Sequence, residues 1–154
     1  MPIVANQVQY SMPARCVEDD VAPVCREGGI GLWAWSPLAQ GVLTGKYLPG
    51  QPAPAGSRAL DEGRGAELIQ RWMSDEILHT VQELNVASSE LGMPLAHLAL
   101  AWLLGRPGVS GVVVGGSRPE QIIDNINAAG RILPTDVGER LNGILTAGGR
   151  QPHN

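Results

Sequence analysis

Three short apolar runs, Ile3 to Val8, Gly31 to Trp35 and Val112 to Val114, are each followed by a loop and then by helical sequence, and this recurrence constrains the fold more than any other feature. Apolar runs of that length suit strands of a parallel sheet covered by helices. Between the first two runs lies Val17 to Glu27, which Asp19, Asp20 and Pro23 open as a short helix and Gly28-Gly29 stop. Strand, helix and strand within about 33 residues make a βαβ unit, with parallel strands joined by a right-handed crossover. The class is α/β, and the three strands are expected side by side with helices on the outer side.

The first run is apolar at its start and then alternates, which predicts a strand buried at Ile3 and Val4 and reaching a polar site at Asn6 and Gln7. The second run breaks at Ser36-Pro37, where a strand must stop. The loop that follows, to Tyr47, carries Gly41 and Gly45, the hydroxyls of Ser36 and Thr44, and Lys46. Such a set can bring backbone amides and one point charge to a phosphate, although a plain strand-to-helix connection uses the same residues. Leu48 to Gly65, rich in Pro, Gly and Ala, is long enough to act as a cover over a site.

Ser74 then predicts an N-cap, followed by one stripe of Ile77, Val81, Leu84, Ser88 and Leu91 that Gly92 terminates. A second helix runs from Pro94 to Leu104 with hardly any polar face, so it must be covered nearly all round. After Val114, Gly115-Gly116 precede Ser117, which with Glu120 three residues on reads as a capping box for a helix carrying Ile122, Ile123 and Ile126. A glycine-led helix start can hold an anion, though most capping boxes hold none. A last helix begins at Pro134-Thr135-Asp136 and runs to about Leu145, with Ala147 to Asn154 as a polar tail.

With 154 residues the chain is read as one domain. Its net charge of −4 and the absence of a basic stripe argue against nucleic acid as a partner. Neither a membrane span nor a signal peptide is indicated, so a cytoplasmic protein is expected. There Cys16 and Cys25 are expected as reduced thiols. His79, His97 and His153 are scattered and predict no metal site, only surface or helix-packing positions.

The motifs Asn6-Gln7-Val8-Gln9-Tyr10, Trp35-Ser36-Pro37-Leu38 through Gly41 to Gly45-Lys46-Tyr47, Ser57-Arg58, and Gly115-Gly116-Ser117 with Gln121 and Asp124-Asn125 resemble, in order and spacing, those of the aldo-keto reductases, in the branch that includes the potassium-channel β-subunits. The resemblance implies the last three strands, with their helices, of a TIM (β/α)8 barrel that binds NADP(H) across the C-terminal strand ends. By it, Gln7 would hold the nicotinamide carboxamide and Trp35 would cover the nicotinamide ring. Ser36, Leu38, Gly41 and Lys46 would surround the pyrophosphate, with Arg58 reaching in from the long loop. Gly115, Ser117, Gln121, Asp124 and Asn125 would hold the adenosine end and its 2′-phosphate.

The family reduces carbonyls with a Tyr acid assisted by Lys, Asp and His from the first half of the barrel, which has no counterpart in this sequence. Tyr10 and Tyr47 both occupy positions that the resemblance assigns elsewhere, so no catalytic residue is expected here. The chain is therefore expected to be part of an NADPH-dependent carbonyl reductase that is inactive alone, or else a noncatalytic nucleotide-binding or assembly module, or a remnant without function. A full barrel takes about 250 residues, so the sheet is expected to be open and to seek a complementing N-terminal half-barrel or a second copy of itself.

Overall fold

A computed structural model describes residues 2–148, with the side chain of residue 64 left aside. Strands β1 (Ala5–Gln9), β2 (Gly31–Trp35) and β3 (Val109–Val113) form one parallel sheet in the order β1-β2-β3, side by side as expected. Among the described residues the α-helices that accompany them are α1 (Val21–Glu27), α2 (Arg64–Gln70), α3 (Asp75–Glu90), α4 (Leu95–Leu104), α5 (Pro119–Ile126) and α6 (Thr135–Ala147). None of the described helices is long and apolar enough to cross a membrane.

Register fixes what each face of the sheet carries. Asn6 pairs with Leu32, and Val8 with Ala34 and then Val112, so these side chains share one face. Leu32 and Ala34 there are fully buried. Gln7 pairs with Trp33 and Gly111, and Gln9 with Trp35 and Val113, on the opposite face. Trp33 on that face remains 46% exposed and Val113 42%. The third run is thus not the wholly buried strand that its valines suggest. It also starts earlier, at Val109, because an irregularity opposite Leu32 and Trp33 takes up Ser110. Gly31 makes room for that extra residue: a Cβ there would lie 2.4 Å from the Ser110 hydroxyl.

The first strand departs from expectation too. Ile3 and Val4 are 74% and 71% exposed, while Tyr10, just past the strand's other end, is 2% exposed. Ile3 and Val4 precede β1 at its uncovered end, whereas its other end is roofed by α4 through Trp102. Asn6 and Gln7 point to opposite faces, and Asn6 Nδ2 lies 3.6 Å from Cys25 Sγ of α1. Helix α1 itself starts at Val21, four residues later than predicted, because Asp20 caps it by accepting from the Val21 N–H at 2.7 Å.

The core lies over the covered face. In α3 the predicted stripe is buried from Ile77 to Ser88, while Leu91, the C-cap beyond the helix, is half-buried, and Ser74 Oγ accepts from Ile77 N at 3.4 Å. In α4 every residue from His97 to Leu103 is buried, because the helix is enclosed by β3, α3, α5 and the β2 loop. Burying each such leucine contributes about 1.5–3 kcal/mol. The segment after the long loop holds a helix that the sequence reading passed over, α2, anchored by Ile69 and Trp72. Helix α6 extends past Leu145 to Ala147, and the predicted tail beyond Gly148, with His153, lies outside the described residues.

Candidate functional site

Because β2 and β3 are parallel and Trp35 stands opposite Val113, the loops that follow them leave neighbouring strand ends on the same edge of the sheet. The Ser36–Lys46 loop and the Gly115–Ser117 loop, about 80 residues apart in sequence, are brought together in this way. Gln7 and Trp35 share the uncovered face just below them, Gln7 exposed and Trp35 half-buried.

The first loop is backbone-strained. Ser36, Ala39 and Gln40 have φ of 55°, 47° and 59°, a left-handed conformation that side chains disfavour. Gly41 follows at 97° with nothing within 4 Å of where its Cβ would stand. Side-chain contacts hold this turn: Gln40 Nε2 donates to Ser36 Oγ at 3.0 Å, and Arg58 Nη1 from the long loop donates to Gln40 Oε1. Thr44 Oγ1 donates to the Gly41 carbonyl at 2.8 Å. Leu38 is half-buried beneath, and Lys46 is exposed with Nζ 5.2 Å from the centre of the Tyr47 ring.

At the second loop the expected capping box is displaced by one residue. Arg118, not Ser117, is the N-cap of α5, and Gln121 rather than Glu120 closes it. Gln121 Oε1 accepts from Ser117 N at 2.8 Å, Ser117 Oγ at 3.2 Å and Arg118 N at 3.2 Å. Pro119 at the first helical position enforces the shift, since it fixes its own φ and pushes Arg118 into extended backbone. The Ser117 amide is therefore capped from within the chain, while Gly115 stands exposed beside it. Asp124 Oδ1 lies 3.1 Å from Nε2 of the buried His97 on α4, close enough for an ion pair though not aligned as a hydrogen bond. Asn125 is half-buried on the same helix.

A second polar cluster, not singled out from the sequence, ties the end of β1 to α4. Tyr10 donates to Glu18 at 2.6 Å, Arg15 forks onto Glu18 at 2.8 and 3.0 Å, and Arg106 Nε reaches the Tyr10 hydroxyl at 3.3 Å. Both guanidinium groups lie against the Trp102 ring, at 5.6 and 4.9 Å from its centre. Burial pushes the Tyr10 hydroxyl well above its ordinary range, and the bond to Glu18 adds to the shift. Burial alone would raise Glu18 too, but hydrogen bonds from Arg15 and Tyr10 outweigh it and hold the carboxyl below its usual range. Tyr47 is 1% exposed and its hydroxyl has no partner. The signal for this cluster was only the sum of Tyr10, Arg15, Glu18 and Arg106, which no local spacing connects. Among the described residues no three His, Cys, Asp or Glu side chains gather as a metal would need.

Residues 1–146 match the Aldo/keto reductase family. A probable voltage-gated potassium channel subunit beta of Oryza sativa subsp. japonica is 40% identical over 148 residues, covering 94% of this chain and 44% of that protein. Its counterpart in Arabidopsis thaliana is 40% identical, covering 99% and 47%. An L-glyceraldehyde 3-phosphate reductase of Escherichia coli (strain K12) is 35% identical over 130 residues, covering 83% and 37%. The chain spans less than half the length of these relatives.

Proposed function

The chain belongs to the aldo/keto reductase family, and on that premise we propose that it supplies the nucleotide-holding part, the last three strands, of an NADP(H)-dependent carbonyl-reducing (β/α)8 barrel. The observation that carries this reading is the parallel register that sets the two loops at adjacent strand ends, where barrel enzymes bind their ligands. The residues present fit the group: Lys46 and Arg58 are exposed cations beside the strained turn, and Gly41 leaves open space next to it.

In this reading Gln7 holds the nicotinamide carboxamide, and Trp35 covers the ring from the uncovered face. Ser36, Leu38, Gly41, Lys46 and Arg58 enclose the pyrophosphate. Gly115, Ser117, Asp124 and Asn125 take the adenosine end, with Gln121 bracing the loop from behind. When bound, NADPH supplies the hydride for a carbonyl carbon. The proton for the resulting alkoxide needs a positioned acid, typically worth about 10²- to 10⁴-fold. Tyr10 is locked in the Glu18 cluster and Tyr47 is buried, so neither is placed to give it.

Tryptophan fluorescence during NADPH titration tests binding, in a Trp33→Phe background because Trp33 shares the face. Saturable quenching lost in Trp35→Ala is expected; quenching that survives in that variant removes Trp35 from the site. NADPH oxidation with aldehydes, ketones and quinones should be negligible for this chain alone and should appear when the first half of a relative's barrel is added. Turnover by the chain alone, abolished by Tyr10→Phe or Tyr47→Phe, would relocate the active site. A second reading, an assembly module, is favoured by the exposure of Ile3, Val4 and Val113 along both edges of the sheet.

A further inference from the structure

We propose that Gln40 is the positioning residue that holds Arg58, and with it the 48–65 loop, over the turn after β2 for nucleotide binding. This rests on the assignment of Ser36 and Arg58 to the pyrophosphate. The long loop is mostly exposed, and Arg58 itself is exposed. An arginine on such a segment would sample many rotamers, and each would have to be given up on binding. Here it does not, because the Gln40 carbonyl accepts from its Nη1 while the Gln40 amide donates back to Ser36. One neutral side chain thus bridges Ser36 of the turn after β2 to Arg58 of the long loop.

The chemistry of the bridge suits that role. A guanidinium has five N–H donors and Gln40 engages Nη1, so other donors remain for an oxyanion. An amide holds the arginine without cancelling its charge, whereas a carboxylate at the same place would pair with it and repel phosphate. The left-handed backbone at Gln40, φ 59°, is the cost of this arrangement, borne at a position where glycine or asparagine would be unstrained.

Gln40→Asn is the informative variant, since asparagine accepts the backbone but is one methylene too short to bridge. Gln40→Glu keeps the reach and adds a charge. In the full chain without nucleotide, trypsin should cut after Arg58 about three- to tenfold faster in Gln40→Asn than in the wild type, and more slowly in Gln40→Glu. NADPH should bind about three- to tenfold more weakly to Gln40→Asn and more weakly still to Gln40→Glu, although Gln40→Glu protects the loop best. The double variant Gln40→Asn/Arg58→Ala should bind no more weakly than Arg58→Ala alone, because Gln40 acts through the arginine. Equal cleavage of wild type and Gln40→Asn, or additive losses in the double variant, overturns the proposal while leaving NADPH binding as assigned. A wild-type chain that cleaves slowly after Arg58 yet binds no NADPH overturns the nucleotide assignment and this proposal together.

Discussion

Helices α4 and α5 are of similar length and both rich in apolar residues, yet α4 buries everything from His97 to Leu103 while α5 leaves Ile123 and Ile126 63% and 64% exposed. The same contrast divides the sheet. Leu32 and Ala34 at its centre are fully covered, whereas Ile3 and Val4 at one edge and Val113 at the other face outward. The layer of β2, α3 and α4 is packed closed on one face, through Leu32 and Ala34, while Trp33 of β2 on the other face stays 46% exposed. The flanks carry apolar side chains that nothing among the described residues covers, as expected for surfaces that meet another part of a barrel or another chain. The loops after β2 and β3, proposed above to hold a nucleotide, leave the sheet beside these regions.

The largest effect that could break this comparison is in the centre. Leu98→Ala should destabilise the fold by about 2–5 kcal/mol, because the site is fully buried and cannot collapse easily, while Ile126→Ala should leave the denaturant midpoint nearly unchanged. Similar losses at both positions would mean that α5 is packed as tightly as α4. An intermediate effect is expected where Glu18 pins the end of β1 to α4. Glu18→Gln should cost about 1–3 kcal/mol at neutral pH by leaving the buried Arg15 short of its partner.

The pH dependence has a definite sign. Glu18 has a lower carboxyl pKa folded than unfolded, so its contribution is present above the ordinary carboxylate range and is lost as pH falls through the folded value. Urea midpoints of wild type and Glu18→Gln should therefore converge in acid, and a gap that persists at the lowest pH would contradict the assignment. The smallest effect concerns the flanks. Weight-average mass in sedimentation should rise with concentration, and Ile126→Lys should suppress the rise without altering stability; a monomer at all concentrations would show that the exposed edges need no cover.

Much of the fold was legible in the sequence. The βαβ spacing gave parallel strands, Ser74 capped its helix, and the all-apolar α4 announced that it was enclosed. The misses have two causes. Helix α2 and the early start of β3 depend on Ile69 and Ser110 meeting distant neighbours, whereas the late start of α1 and the shifted capping box are local, set by Asp20 capping Val21 and by Pro119 dictating the backbone of Arg118. Of the candidate site, the residue types were readable in Ser36, Lys46, Arg58 and Ser117. Gln40 was passed over, since nothing local shows that its side chain bridges Ser36 to an arginine eighteen residues away.

By itself the sequence determined the α/β class, the parallel adjacent strands and the family, because these follow from periodicity, connection length and the order of motifs along the chain. Which apolar residues are covered, which amides are already capped and which side chains meet across the loops was decided only by the tertiary structure. Burial and hydrogen bonding are set by what the fold brings alongside: Ile77 and Ile126 are chemically alike, and one is 3% exposed and the other 64% because a neighbouring element covers only the first.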